Sequence, residues 1–460
     1  MNAITATDPT MQAPPAAREQ PARALPRLLA GIPARGAMTL EQHLALHGEI
    51  PLAGGRRRRE AREHAAALID EVQRAGLLGR GGAAFPTAAK MRAVASVRRR
   101  AIVVVNAAEG EPASLKDRAL LELVPHLVLD GGVLAAHAVG ADEVIVCACE
   151  STGAGVQSIA AAIEERDRLA GRAPRLRLAT VPNHYVAGQE TALVNHLNGA
   201  PARPTFTPPM PFQQGVARRP TLVNNAETLA HLALIARHGA PWFRQLGTPT
   251  QPGSALVTLS GPVAHPGVYE IEHGASLSSL ITAAGGTTVR PRAALLGGYA
   301  GSWIAAEHLH DVALSNEHLA AYGATLGAGV ALLLSELACP VAETARLARW
   351  LAGQSTRQCG PCMHGLDALA ASVEQIAAGS ANAAAGQHIG RLASLVARRG
   401  ACGHPDGAVN VILSAVEAFQ TQFAQHARHG PCDACTRPAE LPLPTRPVPP
   451  DSRRRALGSQ

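Results

Sequence analysis

Short apolar runs alternate with segments of helical spacing through the first half of the chain. Three of these runs are AIVVVN (101–106), EVIVCAC (143–149) and RLRLATV (175–181), each bounded by polar residues or a loop. Segments with a helical pattern, near 113–138 and 153–169, lie between them. This strand–helix–strand order predicts a parallel sheet covered by helices, so we expect an α/β fold in this region.

Two different patterns follow in the second half. Between about 253 and 305, ALVTLSG and GVYEI flank PVAHPG in the manner of a hairpin, and SLSSLITAAGG predicts a short helix. Residues 336–425 are helical, with apolar side chains that recur on one face: Leu366, Leu369, Val373 and Ile376, then Val409, Ile412, Val416, Phe419 and Phe423. We expect a small β-rich domain and then a helical bundle whose connections carry cysteines.

These patterns divide the chain into three domains between two tails. The predicted domains cover 38–248 (α/β), 249–335 (β-rich) and 336–425 (helical). Residues 1–37 and 426–460 are rich in alanine, proline or arginine, and we expect both segments to be disordered.

Composition narrows the class of protein. The chain has 460 residues, and no stretch reaches the roughly 18 uninterrupted apolar residues that a membrane span needs. The N-terminus lacks the apolar core of a secretory signal, so we expect a soluble, cytoplasmic protein. Eight cysteines in such a protein indicate reduced thiols or metal ligands rather than a disulfide framework.

The net charge of +7 is concentrated in three arginine runs, at 56–59, 98–100 and 453–455. No aromatic residues interleave with these runs, which argues against a nucleic-acid partner. We interpret the runs as solvated charge. The alternative is a surface that docks an acidic partner such as a ferredoxin.

The stretch GRGGAAFPTAAK (79–90) contains three glycines in four positions and ends on Lys90, one of only two lysines in the chain. It is not a Rossmann fingerprint, because the residues before it (64–77) have helical rather than strand spacing. A loop without side chains at a helix N-terminus suits a phosphate or another anion. The alternative is a tight helix–loop–helix turn with a surface lysine.

The first predicted strand ends in VNAAEGEPASLKDR, which carries Asn106, Glu109, Glu111 and the other lysine, Lys116. In an open α/β sheet, ligands bind at the carboxyl ends of the strands. Both lysines therefore lie in loops that we expect to contact a ligand.

Four motifs in order carry a family resemblance: GRGGAAFPTAAK, VNAAEGEPASLKDR, YVAGQETALVN and RRPTLVNNAETL. They resemble the successive flavin-site motifs of the NADH-binding flavoprotein subunit of respiratory complex I, a family that includes subunits of soluble NAD-reducing hydrogenases and formate dehydrogenases. The resemblance covers about residues 39–425 and includes the β-rich domain, which is similar to the family's SLBB module.

The resemblance implies a role for each matching residue. FMN would be held by Gly79, Arg80, Gly81, Gly82, Lys90, Asn106, Glu109, Gly188, Asn224, Asn225 and Thr228. The nicotinamide–adenine side of the site would be formed by Phe85, Glu111, Tyr185 and Glu190. Glu190 would be the candidate catalytic residue, which either positions the nicotinamide or screens the site electrostatically. Lys90 would be a flavin-site lysine, where a compact ammonium and an arginine fork are not interchangeable.

Three cysteines form the candidate metal site. Cys359 and Cys362 lie in a predicted loop between helices, and Cys402 follows forty residues later, so a bundle can bring these soft sulfur ligands together. In the resembling family, SCGxCxPCRxG and a later cysteine bind a [4Fe–4S] cluster, and Thr356 occupies the place of the first cysteine here. The fourth ligand stays open among four candidates: His364, His404, Cys432 and Cys435.

Alternatives to the cluster are a Cys3His zinc site that includes His404, and no metal at all. We interpret Cys147, Cys149 and Cys339 as buried structural thiols.

The leading prediction is an NADH dehydrogenase-like subunit. It would oxidise NADH through FMN and pass single electrons through the cluster to a ferredoxin-like or other iron–sulfur partner, as a peripheral subunit of a complex. The chain departs from the family near the dinucleotide, with Ala108 for aspartate, Gln189 for glutamate, and Thr207-Pro208-Pro209-Met210-Pro211 for KPPFP. Two alternatives therefore stay open: electron exchange with a ferredoxin without NADH, or a cofactor-poor structural subunit.

Overall fold

The computed structural model describes residues 25–52, 58–97, 99–168, 174–381 and 385–444. The terminal segments 1–24 and 445–460, both predicted to be disordered, lie outside the described residues. The arginine run at 453–455 belongs to the second of them.

The first domain is built on a four-stranded parallel sheet. Its strands are β1 (Ala101–Ala107), β2 (Ala141–Cys149), β3 (Arg175–Val181) and β4 (Thr221–Asn225), in the order β3-β2-β1-β4. The apolar run predicted as the first strand forms β1, which lies inside the sheet and is buried along most of its length. The surrounding helices are α1 (Leu40–His47), α2 (Arg58–Ala75), α3 (Thr87–Ala95), α4 (Lys116–Leu123), α5 (Pro125–Val139), α6 (Gly153–Asp167), α7 (Glu190–Leu197) and α8 (Ala226–Phe243).

The single helical segment predicted at 113–138 is two helices, α4 and α5, bent by 99° relative to each other. Pro125 begins α5, and a proline disfavours the helical conformation of the residue before it, so the break falls at Val124. No single helix in the described ranges is both long and apolar enough to cross a membrane.

The second domain is a five-stranded mixed sheet. It contains β5 (Ser254–Ser260), β6 (Gly267–Glu272), β7 (Pro291–Leu296), β8 (Ser302–Ala305) and β9 (Val330–Ser335), with helices α9 (Leu277–Ala283) and α10 (Asn316–Leu319). The strand order is β6-β5-β9-β7-β8. Strands β5 and β6 form the predicted antiparallel hairpin, and α9 is the predicted short helix.

The third domain is helical, as predicted. It comprises α11 (Pro340–Gly353), α12 (Leu366–Ala377), α13 (Ala385–Val396), α14 (His404–Ala418) and α15 (Gln420–His429). The predicted apolar faces pack into one core, which also includes Tyr299 and Trp303 of the second domain. The helical domain therefore docks on the β-rich domain through a continuous apolar interface.

Both ends of the described chain are packed, so the expectation of disorder is wrong for residues 25–37 and 426–444. At the N-terminal end Leu28 is buried, and its amide donates to Glu270 Oε2 at 2.8 Å. At the C-terminal end Leu441 is buried, and Glu440 accepts a hydrogen bond from the Ser335 amide at 2.9 Å. One buried leucine and a few backbone hydrogen bonds order each segment despite its composition.

Candidate functional site

A cavity of about 560 Å³ opens at the carboxyl end of the parallel sheet, where the three domains meet. Its volume lies within the range of small-molecule and cofactor sites, about 300–1,000 Å³. The cavity wall includes nine of the residues predicted to bind FMN or the dinucleotide: Arg80, Gly81, Gly82, Asn106, Glu109, Glu111, Tyr185, Gly188 and Asn225. The structure therefore brings the four sequence motifs together around one space.

The other predicted residues lie near this wall rather than in it. Gly79 lines a small adjoining cleft together with Arg80 and Lys116. Thr228 is buried, and its Oγ1 accepts a hydrogen bond from the Arg80 amide at 2.8 Å. Asn224 is buried on β4, and within the described chain its Nδ2 has no hydrogen-bond partner.

Lys90 and Glu190 pair with each other at the start of two helices. Lys90 lies in the first turn of α3, Glu190 is the first residue of α7, and Lys90 Nζ is 2.8 Å from Glu190 Oε2. Neither residue lines the cavity, and both side chains are about one quarter exposed. Phe85, in the loop before α3, is 57% exposed.

The glycine loop (79–82) leaves open space beside its backbone at the cavity wall. Gly82 has a φ of +106°, a backbone conformation that side chains rarely adopt. A Cβ at this position would meet nothing closer than the backbone of Gly327, at 3.9 Å, so the space beside it is open. This open cradle fits a flat cofactor such as FMN lying against the backbone.

Two asparagines hold the carboxyl end of the sheet in place. Asn106 Nδ2 donates to the Gly188 carbonyl at 2.8 Å, and Asn225 Nδ2 donates to the Asn106 carbonyl at 3.2 Å and to Asp117 Oδ2 at 2.7 Å. Gly188 itself lies so close to the Ala108 carbonyl that a Cβ would approach it to 2.4 Å. These contacts fix the floor of the cavity.

A buried ionic network runs beneath the glycine loop. Lys116 Nζ lies 2.8 Å from Asp117 Oδ1 and 3.0 Å from Glu227 Oε2, and it donates to Asn225 Oδ1 at 3.0 Å. Burial opposes the charge of Lys116, but the carboxylates of Asp117 and Glu227 more than offset this and hold its pKa above the usual value. Burial lowers the pKa of Arg80, which Glu227 partly counters.

Two buried glutamates, Glu109 and Glu111, line the cavity, and both have a raised pKa. The pKa of Glu109 is raised to about 7: burial and the nearby Asp117 raise it, and Lys116 partly opposes them. Burial likewise raises the pKa of Glu111 to about 7, against hydrogen bonds from the Tyr299 and Ala113 amides. The Tyr299 amide donates to Glu111 Oε2 at 2.7 Å, so this glutamate also joins the first domain to the second.

Of the residues that the second and third domains contribute to the cavity, the sequence predicts only Cys402 and His404, and it predicts them as candidate metal ligands rather than as part of the flavin site. The cavity wall includes Gly297, Ala300, Thr325, Gly327 and Ala328 of the β-rich domain, and Cys402, Gly403, His404 and Gly407 of the helical domain. The only sequence signal for the first group is the glycine content of GGYAG and TLGAG.

The three predicted iron–sulfur cysteines occupy two neighbouring loops. Cys359 and Cys362 lie between α11 and α12, where 361–365 form a π-helical turn, and Cys402 precedes α14. Burial, together with the nearby Cys359, raises the pKa of Cys362 to about 11. The same two causes raise the pKa of Cys402. Three soft thiols in this arrangement are a donor set that fits an iron–sulfur cluster.

The candidates for a fourth ligand are separated by the structure. Cys432 and Cys435 lie with Cys339 and His426 in a different group, so Cys339 is not simply a buried structural thiol. His364 is exposed. His404 is buried, its Nε2 is 2.9 Å from the Leu351 carbonyl oxygen, and its Nδ1 has no partner in the described part of the chain.

Comparison with known families covers all three domains. The Nuo51 FMN-binding domain matches residues 72–234, the SLBB domain matches 256–298, and the NADH-ubiquinone oxidoreductase-F iron–sulfur binding region matches 342–426. The F-type subunit of NADH-quinone oxidoreductase in Streptomyces coelicolor is 32% identical over 373 residues, which cover 78% of this chain and 82% of that protein. The chain belongs to the NADH-quinone oxidoreductase-F family.

Two further relatives and one solved structure show the range of proteins to which this chain is similar. A second F-type NADH-quinone oxidoreductase subunit, that of Rhizobium meliloti, is 29% identical over 377 residues, 79% of this chain and 90% of that protein. The NADP-reducing hydrogenase subunit HndC of Solidesulfovibrio fructosivorans is 30% identical over 386 residues, 81% of this chain and 78% of that protein. A solved NAD+-reducing [NiFe]-hydrogenase aligns with a TM-score of 0.73 and 34% identity over 80% of this chain, which spans 64% of that hydrogenase chain.

These comparisons confirm the predicted family, the α/β fold with SLBB and helical domains, and FMN and a [4Fe–4S] cluster as cofactors. They also confirm an electron-transfer function of the NADH dehydrogenase type. The departures from the oxidoreductase-F pattern lie in three different surroundings. Ala108 lines the cavity, and Gln189 Oε1 caps α7 by accepting from the Ala192 amide at 2.9 Å. Met210 is 41% exposed.

Proposed function

We propose that this chain is the electron-input subunit of a cytoplasmic oxidoreductase, where it oxidises NADH and passes electrons singly to an iron–sulfur partner protein. One observation carries the proposal. The cavity that collects the flavin-motif residues, such as Gly82 and Asn106, is also lined by Cys402 and His404 of the iron–sulfur region. A flavin in this cavity would lie against the loop that holds a cluster ligand.

FMN, when bound, accepts two electrons as a hydride and releases them one at a time. The chain's own residues position the reactants and exclude water. The glycine loop supplies the open wall beside Gly82, while Asn106 and Asn225 hold the floor through their hydrogen bonds. The ion pair of Lys116 and Glu227 supports that wall from below.

In this proposal, Glu111 and Tyr185 form the part of the cavity wall that contacts the dinucleotide. Tyr185 Oη lies 3.4 Å from Glu111 Oε2, and its ring packs edge-on against Trp350 of the helical domain. These residues give one aromatic surface and one polar acceptor at the cavity wall, which suits an adenine or nicotinamide ring and a ribose hydroxyl. Glu190, held by Lys90, would act from the rim on the approach of the dinucleotide.

Electrons would leave through the surface near Cys359. This cysteine is only half-buried, and two residues of the same loop, Arg357 and Met363, are exposed. Arg357 Nη2 donates to the Met363 carbonyl at 3.4 Å. An exposed apolar residue beside an arginine is suited to a small acidic electron-transfer protein. The partner class that we propose is therefore a ferredoxin-like protein or an acidic iron–sulfur subunit.

The test is an anaerobic visible spectrum of the full chain, reconstituted with FMN, iron and sulfide, before and after addition of NADH. Rapid bleaching of the flavin band by NADH is expected. A matched Glu111→Gln variant should retain FMN and require a higher NADH concentration for the same bleaching, because its polar acceptor at the cavity wall is altered. A flavin that responds only to dithionite or reduced ferredoxin would instead support the ferredoxin alternative. A chain that binds neither FMN nor iron would contradict both.

A further inference from the structure

A second group of sulfur ligands lies apart from the flavin cavity. The ligand atoms of Cys339, His426, Cys432 and Cys435 all lie within 4.8 Å of one another. His426 Nε2 is 3.4 Å from Cys339 Sγ and 3.9 Å from Cys435 Sγ, and the Sγ atoms of Cys432 and Cys435 are 3.8 Å apart. All three cysteines are free thiols.

These separations match the edges of a tetrahedron around one metal ion. Zinc bonds of about 2.3 Å to sulfur and about 2.0 Å to nitrogen give edges of about 3.8 Å between two sulfurs and about 3.5 Å between sulfur and nitrogen. The observed distances of 3.8 Å, 3.4 Å and 3.9 Å lie close to these values. A four-iron cluster would hold its ligands farther apart, because the whole cluster lies between them.

The donor set and its surroundings suit a closed structural site. Three thiolates and one imidazole fill a tetrahedral coordination sphere and leave no open position. Cys339 caps the N-terminus of α11, where its Sγ accepts from the Ala342 amide at 3.4 Å. A helix N-terminus and an N–H donor both stabilise a thiolate, and hydrogen bonds of this kind to a metal ligand fix its orientation.

The four ligands come from three separate segments of the chain. Cys339 lies between β9 and α11, His426 lies in the last turn of α15, and Cys432 and Cys435 lie in the segment after that helix. The same segment is held farther along, where Glu343 Oε1 accepts from the Glu440 amide at 2.9 Å. A metal ion here would join the C-terminal segment to both ends of the helical domain's sequence.

We propose that Cys339, His426, Cys432 and Cys435 bind one structural zinc ion, which fastens the C-terminal segment to the helical domain. This site is distinct from the iron–sulfur cysteines. Cys339 precedes α11, whereas Cys359 and Cys362 follow it, and a helix of 14 residues is roughly 20 Å long. Cys432 and Cys435 are thereby engaged in zinc binding and not in the cluster.

The experiment measures zinc, iron and FMN in the anaerobically purified full chain by elemental analysis and absorbance. Wild type should contain about one zinc per chain, as a Cys3His site predicts. The double variant Cys432→Ser/Cys435→Ser should lose at least about four fifths of this zinc, keep its iron and FMN, and become sensitive to proteolysis after His429. Asp433→Asn, an exposed change between the two cysteines, is the matched control and should keep its zinc.

Several results would overturn the proposal. These are wild-type protein without zinc, zinc retained in the double variant, iron lost together with Cys432 and Cys435, or a disulfide between these two cysteines. If the double variant does not fold, wild-type protein produced with cobalt decides the question. Visible bands of tetrahedral, thiolate-bound cobalt support the site, and their absence refutes it.

Discussion

The two lysines of the chain have very different surroundings, and this difference predicts unequal effects of the same substitution. Lys116 is 4% exposed and contacts two buried carboxylates, Asp117 and Glu227. Lys116→Met leaves both carboxylates in a low dielectric without their shared cation. Removing one partner of a buried ion pair costs about 3–5 kcal/mol.

Lys90→Met is the matched control. Lys90 pairs with one carboxylate, Glu190, and the two side chains are 24% and 30% exposed. Water screens such a pair, and its loss costs about 1 kcal/mol or less. We therefore expect the free energy of unfolding to fall several times more for Lys116→Met than for Lys90→Met.

The assay is urea unfolding near neutral pH, followed by circular dichroism at a fixed FMN concentration and again without FMN. The comparison without FMN separates lost stability from lost ligand binding, since a ligand of the native state raises apparent stability. Glu227→Gln added to Lys116→Met should recover part of the loss, because it removes one unpaired charge. Equal losses for the two single variants, or a loss below about 1 kcal/mol for Lys116→Met, would refute the reasoning.

Three further predictions test the site. Gly82→Ala should weaken FMN binding by about tenfold or more in a fluorescence titration, because a side chain is strained at φ +106° and projects into the open cradle. The control is Gly153→Ala, whose added Cβ meets no atom within 4 Å, and this variant should bind FMN normally. The pKa of Glu111 is about 7 in the folded chain and 4.5 in the unfolded chain, so Glu111 stabilises the fold most below about pH 4.5. About 3 kcal/mol of this stability is lost as the pH rises through 7. The urea midpoint of Glu111→Gln should not fall with pH in this way, and a fall as large as that of wild type would contradict the prediction. Thr356→Cys should increase the iron that the chain retains against a chelator, and an effect no larger than that of Thr356→Ser would argue against a cluster at this loop.

The sequence predicts three of the four strands of the parallel sheet well because each of them carries a local apolar or alternating run. Strands β1, β2 and β3 lie within three residues of the predicted runs at each end. Strand β4 is not predicted, since TLVNN is only five residues long, follows a proline and ends in two asparagines. Its place in the sheet depends on pairing with β1, a contact that spans more than 100 residues and leaves no local pattern.

The site is predictable only where one segment carries its own motif. The glycine loop and the residues after β1 are recognisable because their residue types are unusual locally. Gly297 and Gly327 line the same cavity from another domain, and the glycine content of GGYAG and TLGAG alone is too weak a signal to indicate a ligand. The group of Cys339, His426, Cys432 and Cys435 is equally hard to predict from the sequence. Its members are separated by 87, 6 and 3 positions, and only the Cys432–Cys435 pair has a spacing typical of metal ligands.

Arg80 shows how the flavin cavity depends on more than its own domain. Its Nη2 donates to the Ser254 carbonyl of β5 at 3.0 Å, and its amide donates to Thr228. Glu227 accepts from the Leu256 amide of the same strand at 2.9 Å while it pairs with Lys116. The charged residues beneath the glycine loop therefore hold the β-rich domain against the first domain. Arg80 and Glu227 are both buried, and each has partners in both domains, so these two residues link the domains. The cavity wall contains residues of both domains and is complete only when they are joined.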